Sequence, residues 1–398
     1  MVAVARLPGI DEALALVLER ARPLEAEAVP ISEAAGRFLA EDAHAACDLP
    51  PFPSSAMDGY AVRAADTPGR LVVVGHSAAG RPEARVLGAG EAIAISTGAV
   101  VPAGADAVVP VERTNLVGAA LDVEAVGEGD NSRARGGDVR AGDAVVLAGT
   151  RLGAPQIGAL AAVGAAVVRC RRRPRVAVLA TGTELRAPGE ELGPGEIYES
   201  NTLLLHAQLT SAGADVVVLG AVADDEHATR VALESGLAAD VLITSGGVSV
   251  GTHDLVRAAL AELGAEEVFW RVAVRPGKPI AFALRDATLV FGLPGNPVSA
   301  LVGFELFVRP AVLALQGARD PGPVYRPGRL ASPLRRNDER DELVRASSRG
   351  EPGGMTLEPL LGQESHMIVR AAAADALVLV PRGPGELPAG AAVKYLPI

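Results

Sequence analysis

The chain has 398 residues and a formal net charge of −11, enough for a sizeable core in two to four domains rather than one. Hydrophobic residues make up 49 %, largely Ala and Val, and the 45 glycines and 29 prolines punctuate apolar runs, which describes a folded chain with many turns and excludes a disordered one. The acidic balance argues against a nucleic-acid-binding face, and the two cysteines, Cys47 and Cys170, make neither a disulfide scaffold nor a metal cluster, as suits a reducing compartment.

The N-terminal stretch carries acidic residues where a signal peptide would have its apolar core. The longest mild apolar run, Ile157–Val168, falls short of the ~20 residues that span a bilayer. A soluble, cytoplasmic protein without membrane contact is expected. Residues 11–21 place Leu14, Val17 and Leu18 at helical spacing, and residues 31–41 repeat the pattern around Ala35, Phe38 and Leu39, with Ser32 as a candidate N-cap. The proline cluster in residues 48–62 (DLPPFPSSAMDGYAV) forbids regular structure. Asp58 there reads equally as a turn residue beside Gly59 or as a carboxylate held at a domain edge. Between Leu71 and Val146, short runs (LVVVG, AIAIS, DAVVP, LDVEA, DAVVL) alternate with Gly/Asp/Pro turns, the pattern of a β-rich inserted domain. Its loop Asn131–Asp138 carries Arg133, Arg135 and Asp138, either a solvated turn or a grip for an anion. A small-residue helix is expected over residues 154–166. The arginine-rich run Arg169–Arg175 reads as a solvated hinge.

From Arg175 onward, strands buried on both faces alternate with helices. The expected elements are strand 176–180, helix 198–211, strand 215–219, helix 226–238, strand 241–244 and helix 254–263. Strands near 267–274, 280–284 and 288–292 and a helix over 298–308 follow. This spacing predicts a doubly wound, mostly parallel sheet, in which ligands bind beyond the carboxyl ends of the strands. Three turns lie at those ends: Thr181-Gly182-Thr183-Glu184, the stretch Ala239–Asp254 (ADVLITSGGVSVGTHD), and Leu289–Pro297 (LVFGLPGNP). In the second, Ser245, Gly246, Gly247 and Ser249 bring free amides and small side chains to a helix N-terminus, which makes an anion site. The second and third turns are expected to share one ligand pocket. Past Pro321 the runs suggest a small β-domain. There Gly362–His366 (GQESH) is the polar segment able to face a ligand, with a surface loop the favoured reading.

No Walker A, zinc-ligand, Rossmann or hydrolase-elbow pattern is present. Carboxylates do cluster near the phosphate-binding turns: Glu184, Asp224, Asp225 and Asp254. Two or three of them could hold a Mg²⁺ that phosphate oxygens also bind. One of the pair Asp224-Asp225 is expected to be functional and the other to cap the following helix. Arg275 and Lys278 bracket Pro276-Gly277 and place two cations at a turn, suited to a second anion or a leaving group.

The motifs SAMDGYA (55–61), STG (96–98), RARGGD (133–138), ATGTEL (180–185), SGGVSVG (245–251), RPGKP (275–279) and LPGNP (293–297) together resemble the molybdopterin molybdenumtransferase family, MoeA and the C-terminal domain of gephyrin. The resemblance implies a multidomain α/β chain: an elongated helical domain split over 1–47 and 147–174, an inserted β-rich domain 48–146, a doubly wound MogA-like α/β domain 175–320 and a C-terminal β-barrel-like domain 321–398. It implies insertion of molybdate into adenylylated molybdopterin with release of AMP, Mg²⁺ as cofactor, and a homodimer whose cleft the other subunit completes. Contact with other molybdenum cofactor synthesis proteins would follow. Carried over by motif, Asp58, Thr97, Asp138, Glu184, Asp225 and Asp254 would be catalytic, with Glu184, Asp225 and Asp254 as metal ligands. Arg135, Thr181, Gly182, Ser245, Gly246, Gly247, Ser249, Arg275, Lys278, Pro294, Gly295, Asn296 and Pro297 would bind substrate, with Arg275 and Lys278 near molybdate. The chain departs from the common pattern at Thr183 (commonly Asp), Arg275 (commonly Lys) and Leu255 (commonly aromatic), which leaves room for another oxyanion such as tungstate. Two other readings compete: adenylyl transfer to molybdopterin by a MogA-like domain, and a non-catalytic scaffold of the gephyrin type.

Overall fold

The computed structural model describes residues 7–247 and 255–398. The chain divides into two compact units. One comprises the residues up to Glu27, Gly36–Ala40 and Cys170–Ile398, and the other Ala28–Ala35 and Glu41–Arg169.

The first unit is built on a six-stranded sheet in the order Asp215–Val222, Arg175–Thr181, Val241–Ser245, Thr288–Leu293, Ala281–Arg285, Glu266–Trp270. The first four strands run parallel; the last two join antiparallel, through a hairpin turned at Asp286, whose φ is 52°. Alternation along the strands sends Val178, Ile243 and Phe291 to one face, against Leu205 and Leu209 of the helix Asn201–Ser211. Leu179, Leu242 and Val290 go to the other face, against Leu233 of Glu226–Gly236 and Val256 of Leu255–Glu262. Each such side chain contributes about 1.5–3 kcal/mol on burial. Both faces are apolar, so both must be covered, and the sheet is doubly wound.

The last helix of this layer runs further than its sequence suggests. An end at Val308 is expected, ahead of Pro310, yet Pro297–Gly303 passes through a π-helical turn, Phe304–Val308, into Arg309–Leu315. The widened turn changes the bonding register just ahead of Pro310, which has no amide hydrogen to give. Glu305, only 7 % exposed, is held there by Arg309 at 2.6 and 3.0 Å and by Gln208 at 2.8 Å. Among the described residues this stretch, not Ile157–Val168, is the one helix long and apolar enough to cross a membrane. As 78 % of it is buried inside the fold, it is a core helix.

The C-terminal strands Arg326–Leu330, Asp341–Glu351, Gly354–Pro359, Ala376–Val380 and Ala392–Pro397 form a second sheet, to which Val274–Arg275 adds an edge. Asp341–Glu351 pairs with both Gly354–Pro359 and Ala376–Val380, which closes the sheet around Leu330, Val344, Leu357, Val378 and Tyr395. Closure removes most of the exposed edges, giving the barrel-like form.

Two local expectations, the helix over 31–41 and the hinge over 169–175, fail. Helix Ile10–Leu18 forms, but around 31–41 there is only a 3₁₀ turn, Ile31–Glu33. Gly36 takes φ 79° and Leu39 bridges Cys170, so Phe38 and Leu39 are buried by an extended segment that happens to mimic helical spacing. The arginine run is likewise no solvated hinge. Arg172 holds both oxygens of Asp240, at 2.6 and 2.7 Å, and Glu25 at 2.7 Å, while Asp240 accepts the amide of Arg175 at 2.8 Å. The arginines fasten the entry to the sheet.

In the second unit every expected β-run is a strand. Its sheet has the order Ala107–Pro110, Gly59–Val62, Glu91–Ile95, Gly69–Ser77, Ala120–Val123, Thr114–Val117, over a core that includes Val62, Leu71, Val109 and Leu121. The small-residue helix is Ala154–Ala162, with Pro155 in its first turn.

Candidate active-site cleft

A cleft of about 1020 Å³ opens at the carboxyl ends of Arg175–Thr181, Val241–Ser245 and Thr288–Leu293. All three expected turns line it: Thr181, Gly182 and Glu184 from the first, Ser245, Gly246 and Gly247 from the second, Pro294, Gly295, Asn296 and Pro297 from the third. The second turn requires glycine. Gly246 and Gly247 have φ of 92° and 65°, and a Cβ on Gly246 would stand 2.7 Å from the carbonyl oxygen of Thr181. The second and third turns touch through their backbones, since even a Cβ on Gly295 would lie 3.8 Å from the Gly246 Cα, and the Gly246 amide donates to Leu293 O at 3.1 Å. Ser249 and Asp254 lie outside the described residues.

Asn201 joins the two turns. Its Nδ2 donates to Ser245 Oγ at 2.8 Å and to Gly295 O at 2.7 Å. Its Oδ1 and the Thr181 Oγ1 are both buried, with no hydrogen-bond partner among the described residues. Both residues line the cleft, and buried polar atoms left unpaired beside a cavity are what a polar ligand would complete. Sequence reasoning missed Asn201. The available signal was a polar triplet, Glu199-Ser200-Asn201, opening a helix at the ligand-binding edge of the sheet.

The carboxylates divide. Glu184 and Asp224 line the cleft, and Asp224 Oδ2 accepts from Thr183 Oγ1 at 3.3 Å. Asp225, carried over as a metal ligand, instead accepts the Ala228 amide at 2.8 Å as the N-cap of helix Glu226–Gly236, and is not among the cleft-lining residues. A cap needs the residue immediately before the helix, which leaves Asp224 free to face the cleft. No group of three or more His, Cys, Asp or Glu side chains among the described residues is arranged to hold a metal. Two carboxylates beside a phosphate-binding turn still fit Mg²⁺, which keeps several waters and commonly takes one or two protein carboxylates plus substrate phosphates.

The cationic bend contributes less than expected. The described cleft lining holds neither Arg275 nor Lys278, only Pro279 from that turn. Arg275 is committed to Glu342 at 2.9 Å, and Lys278 is exposed.

The GQESH segment, taken for a surface loop, instead supplies the opposite wall: His366 lines the cleft. Ser365 Oγ accepts from Asn296 at 2.9 Å and Ser365 O from the Val298 amide at 3.1 Å. Behind it Arg345, 1 % exposed, donates to the carbonyls of Gly362, Glu364 and Met367 at 2.7, 3.2 and 2.8 Å and fixes the segment.

The second unit gathers the other three motifs. Strand Ser54–Ser55 pairs with Ser132–Arg133, Gly98 N donates to Ser55 O at 2.8 Å, and Ala56 N donates to Asn131 O at 2.8 Å. Asp58 accepts the Thr97 amide at 2.7 Å and its hydroxyl at 3.1 Å, bonds that hold its carboxyl below the usual range. Arg135 bonds Asp48 at 2.5 Å. The Ala141 amide and Arg135 together lower the Asp48 carboxyl. Asp138 is exposed on the same loop.

Three family models match in sequence: the MoeA N-terminal region (domain I and II) over residues 9–164, a probable molybdopterin binding domain over 177–314, and the MoeA C-terminal region (domain IV) over 327–398. The molybdopterin molybdenumtransferase of Bacillus subtilis is 35 % identical over 406 residues, covering 97 % of this chain and 93 % of that one. The chain belongs to the molybdopterin molybdenumtransferase family. Molybdopterin molybdenumtransferase 2 of Mycobacterium tuberculosis is 40 % identical over 342 residues, 81 % of this chain and 82 % of that one. Among solved structures, the molybdopterin biosynthesis MoeA protein of Pyrococcus horikoshii superposes with a TM-score of 0.84 at 33 % identity, covering 98 % of this chain and 99 % of that one. The cleft turns fall within the match to the molybdopterin binding domain, and Ser365 and His366 within the MoeA C-terminal match. The multidomain architecture read from the sequence is that of this transferase family.

Proposed function

We propose that the chain inserts molybdate into adenylylated molybdopterin and releases AMP. The observation that carries this reading is the junction of the Ser245–Gly247 and Pro294–Pro297 turns in one cleft, tied by Asn201. Amides and small polar side chains held this way suit a pyrophosphate. Glu184 and Asp224 would hold Mg²⁺, which when bound neutralises and polarises the phosphate oxygens. Thr181 Oγ1 and Asn201 Oδ1, unpaired among the described residues, orient the polar substrate. Asn296 and Ser365 keep the opposing wall in register. No side chain acts as nucleophile. Dithiolene sulfur and molybdate supply the reacting atoms, and the protein supplies proximity and fixed dipoles.

The same proposal extends to a homodimer in which the Asp58, Thr97 and Asp138 face of one copy completes the cleft of the other. It also extends to a cytoplasmic setting and to contact with the proteins that make the adenylylated substrate. The test supplies purified adenylylated molybdopterin, Mg²⁺ and molybdate and measures AMP. Molybdate-dependent release is the expected result; flat release with demonstrably intact substrate would sink the reading. Accumulation of adenylylated pterin from ATP and molybdopterin without molybdate would favour adenylyl transfer instead.

A further inference from the structure

A second cavity, of about 330 Å³, lies between helix Leu255–Glu262 and the antiparallel side of the α/β sheet. It is a recess open to solvent beside Ala261 and Glu267, left because Ala261, Ala265, Ala281, Ala283 and Gly292 all meet there. Val256, Leu260 and Val290 make the remaining wall apolar. Two features break that uniformity. Thr244 is fully buried, at 0 % exposure, and its Oγ1 has no hydrogen-bond partner among the described residues. A buried hydroxyl left in that state costs about 1–3 kcal/mol. Trp270 also lines the cavity, with the guanidiniums of Arg257 and Arg271 4.4 and 4.2 Å from its ring centroid. Arg257 itself is fixed by both oxygens of Glu267, at 2.7 and 3.1 Å.

A cavity of this size falls at the small end of ligand sites, and apolar walls with a few polar groups, here Thr244 within and Arg257 and Glu267 at the rim, are their usual composition. The small residues leave room for a flat ring, Trp270, whose faces the two guanidiniums cover, offers it a ring edge, and Thr244 offers one hydrogen bond. We propose that this cavity is a second ligand site, separate from the cleft, that takes a small hydroxylated aromatic molecule with its hydroxyl on Thr244 Oγ1. Thr244 directly precedes Ser245 on the strand Val241–Ser245. Successive side chains of a strand point to opposite faces, so an occupant bears on the strand that supports the cleft without entering it.

Trp270 is the sole tryptophan of the chain, so its emission reports occupancy directly. The experiment titrates the full-length protein with p-cresol and with p-xylene, which has a methyl in place of the hydroxyl, exciting where neither absorbs. The expected result is a saturable change with p-cresol binding about fivefold more tightly, the worth of one net hydrogen bond. Thr244→Val, nearly isosteric, should erase the preference and leave p-xylene binding in place. Ala283→Phe should fill the space and weaken both ligands by at least about tenfold. Melting curves for each variant separate lost binding from lost folding, and Thr244→Val keeps the test decisive if the phenylalanine unfolds the domain. No saturable change with either ligand, equal affinities in the parent protein, or a preference that survives Thr244→Val would each overturn the proposal.

Discussion

Single residues decide how the cleft is held together, and Asn201 has the clearest role. Replacing it with Ala removes the bonds to Ser245 and Gly295. Unfolding in urea should show a loss of about 1–3 kcal/mol, and the KM for adenylylated molybdopterin should rise more than kcat falls, because the turns that receive the phosphates separate. The neighbouring aspartates offer a sharper contrast. Asp225→Ala loses an N-cap, worth about 1 kcal/mol, and should lower the melting temperature while AMP release per folded molecule stays near the parent value. Asp224→Asn touches a cleft residue and should lower AMP release by about tenfold or more, with little change in melting. If Asp225→Ala were the inactive variant, the assignment of the pair would be reversed. The residues alone left this pair open, and the resemblance picked Asp225, the member that caps the helix. Capping depends on which residue meets the first helical turn, and a dipeptide at a helix start does not state that.

At the scale of elements, the sequence was most legible where burial and period agree. The strands around Val178, Ile243 and Phe291 carry apolar residues on both faces because both faces are covered, and they fall where the apolar runs place them. It was least legible where a distant partner decides the outcome. The segment around Phe38 has helical spacing but is extended onto Cys170. The helix through Pro310 continues because its π turn precedes the proline. The arginine run has its meaning through Glu25 and through Asp240, 68 residues on from Arg172. That clamp predicts a pH dependence. Burial alone would raise the Asp240 carboxyl, but the bonds from Arg172 and the Arg175 amide outweigh it, and its pKa lies below the ordinary value. A carboxyl depressed on folding contributes stability that is complete above its unfolded-state pKa, about 4. That contribution is lost as the pH falls through the folded-state value. Asp240→Asn should therefore cost about 2 kcal/mol at neutral pH, between the values for exposed and buried pairs. It should also flatten the loss of stability between about pH 5 and about pH 2. Parallel acid limbs for parent and variant would remove the clamp from the account of acid lability.

For the whole molecule, the order of β-rich, α/β and C-terminal β segments could be read from the chain because each has its own period and turn density. The wall that His366 adds to the cleft could not, since a polar loop facing solvent and one facing a cleft have the same composition. Its place is set by Arg345, a buried residue of the strand Asp341–Glu351 that donates to the carbonyls of Gly362, Glu364 and Met367, a feature with no local signature. The largest remaining claim is the shared cleft of the proposed dimer, and it can be tested by mixing subunits. Asp58→Asn alters the second unit and Asp224→Asn the first, and each alone should release little AMP. Dissociated and reassembled in equal amounts, half of the dimers pair one variant with the other. If the cleft is completed across the dimer, each mixed dimer regains one intact site of two, and AMP release should recover to about a quarter of the parent rate. If each chain builds its site alone, every site in the mixture carries a substitution and release stays at the level of the separate variants.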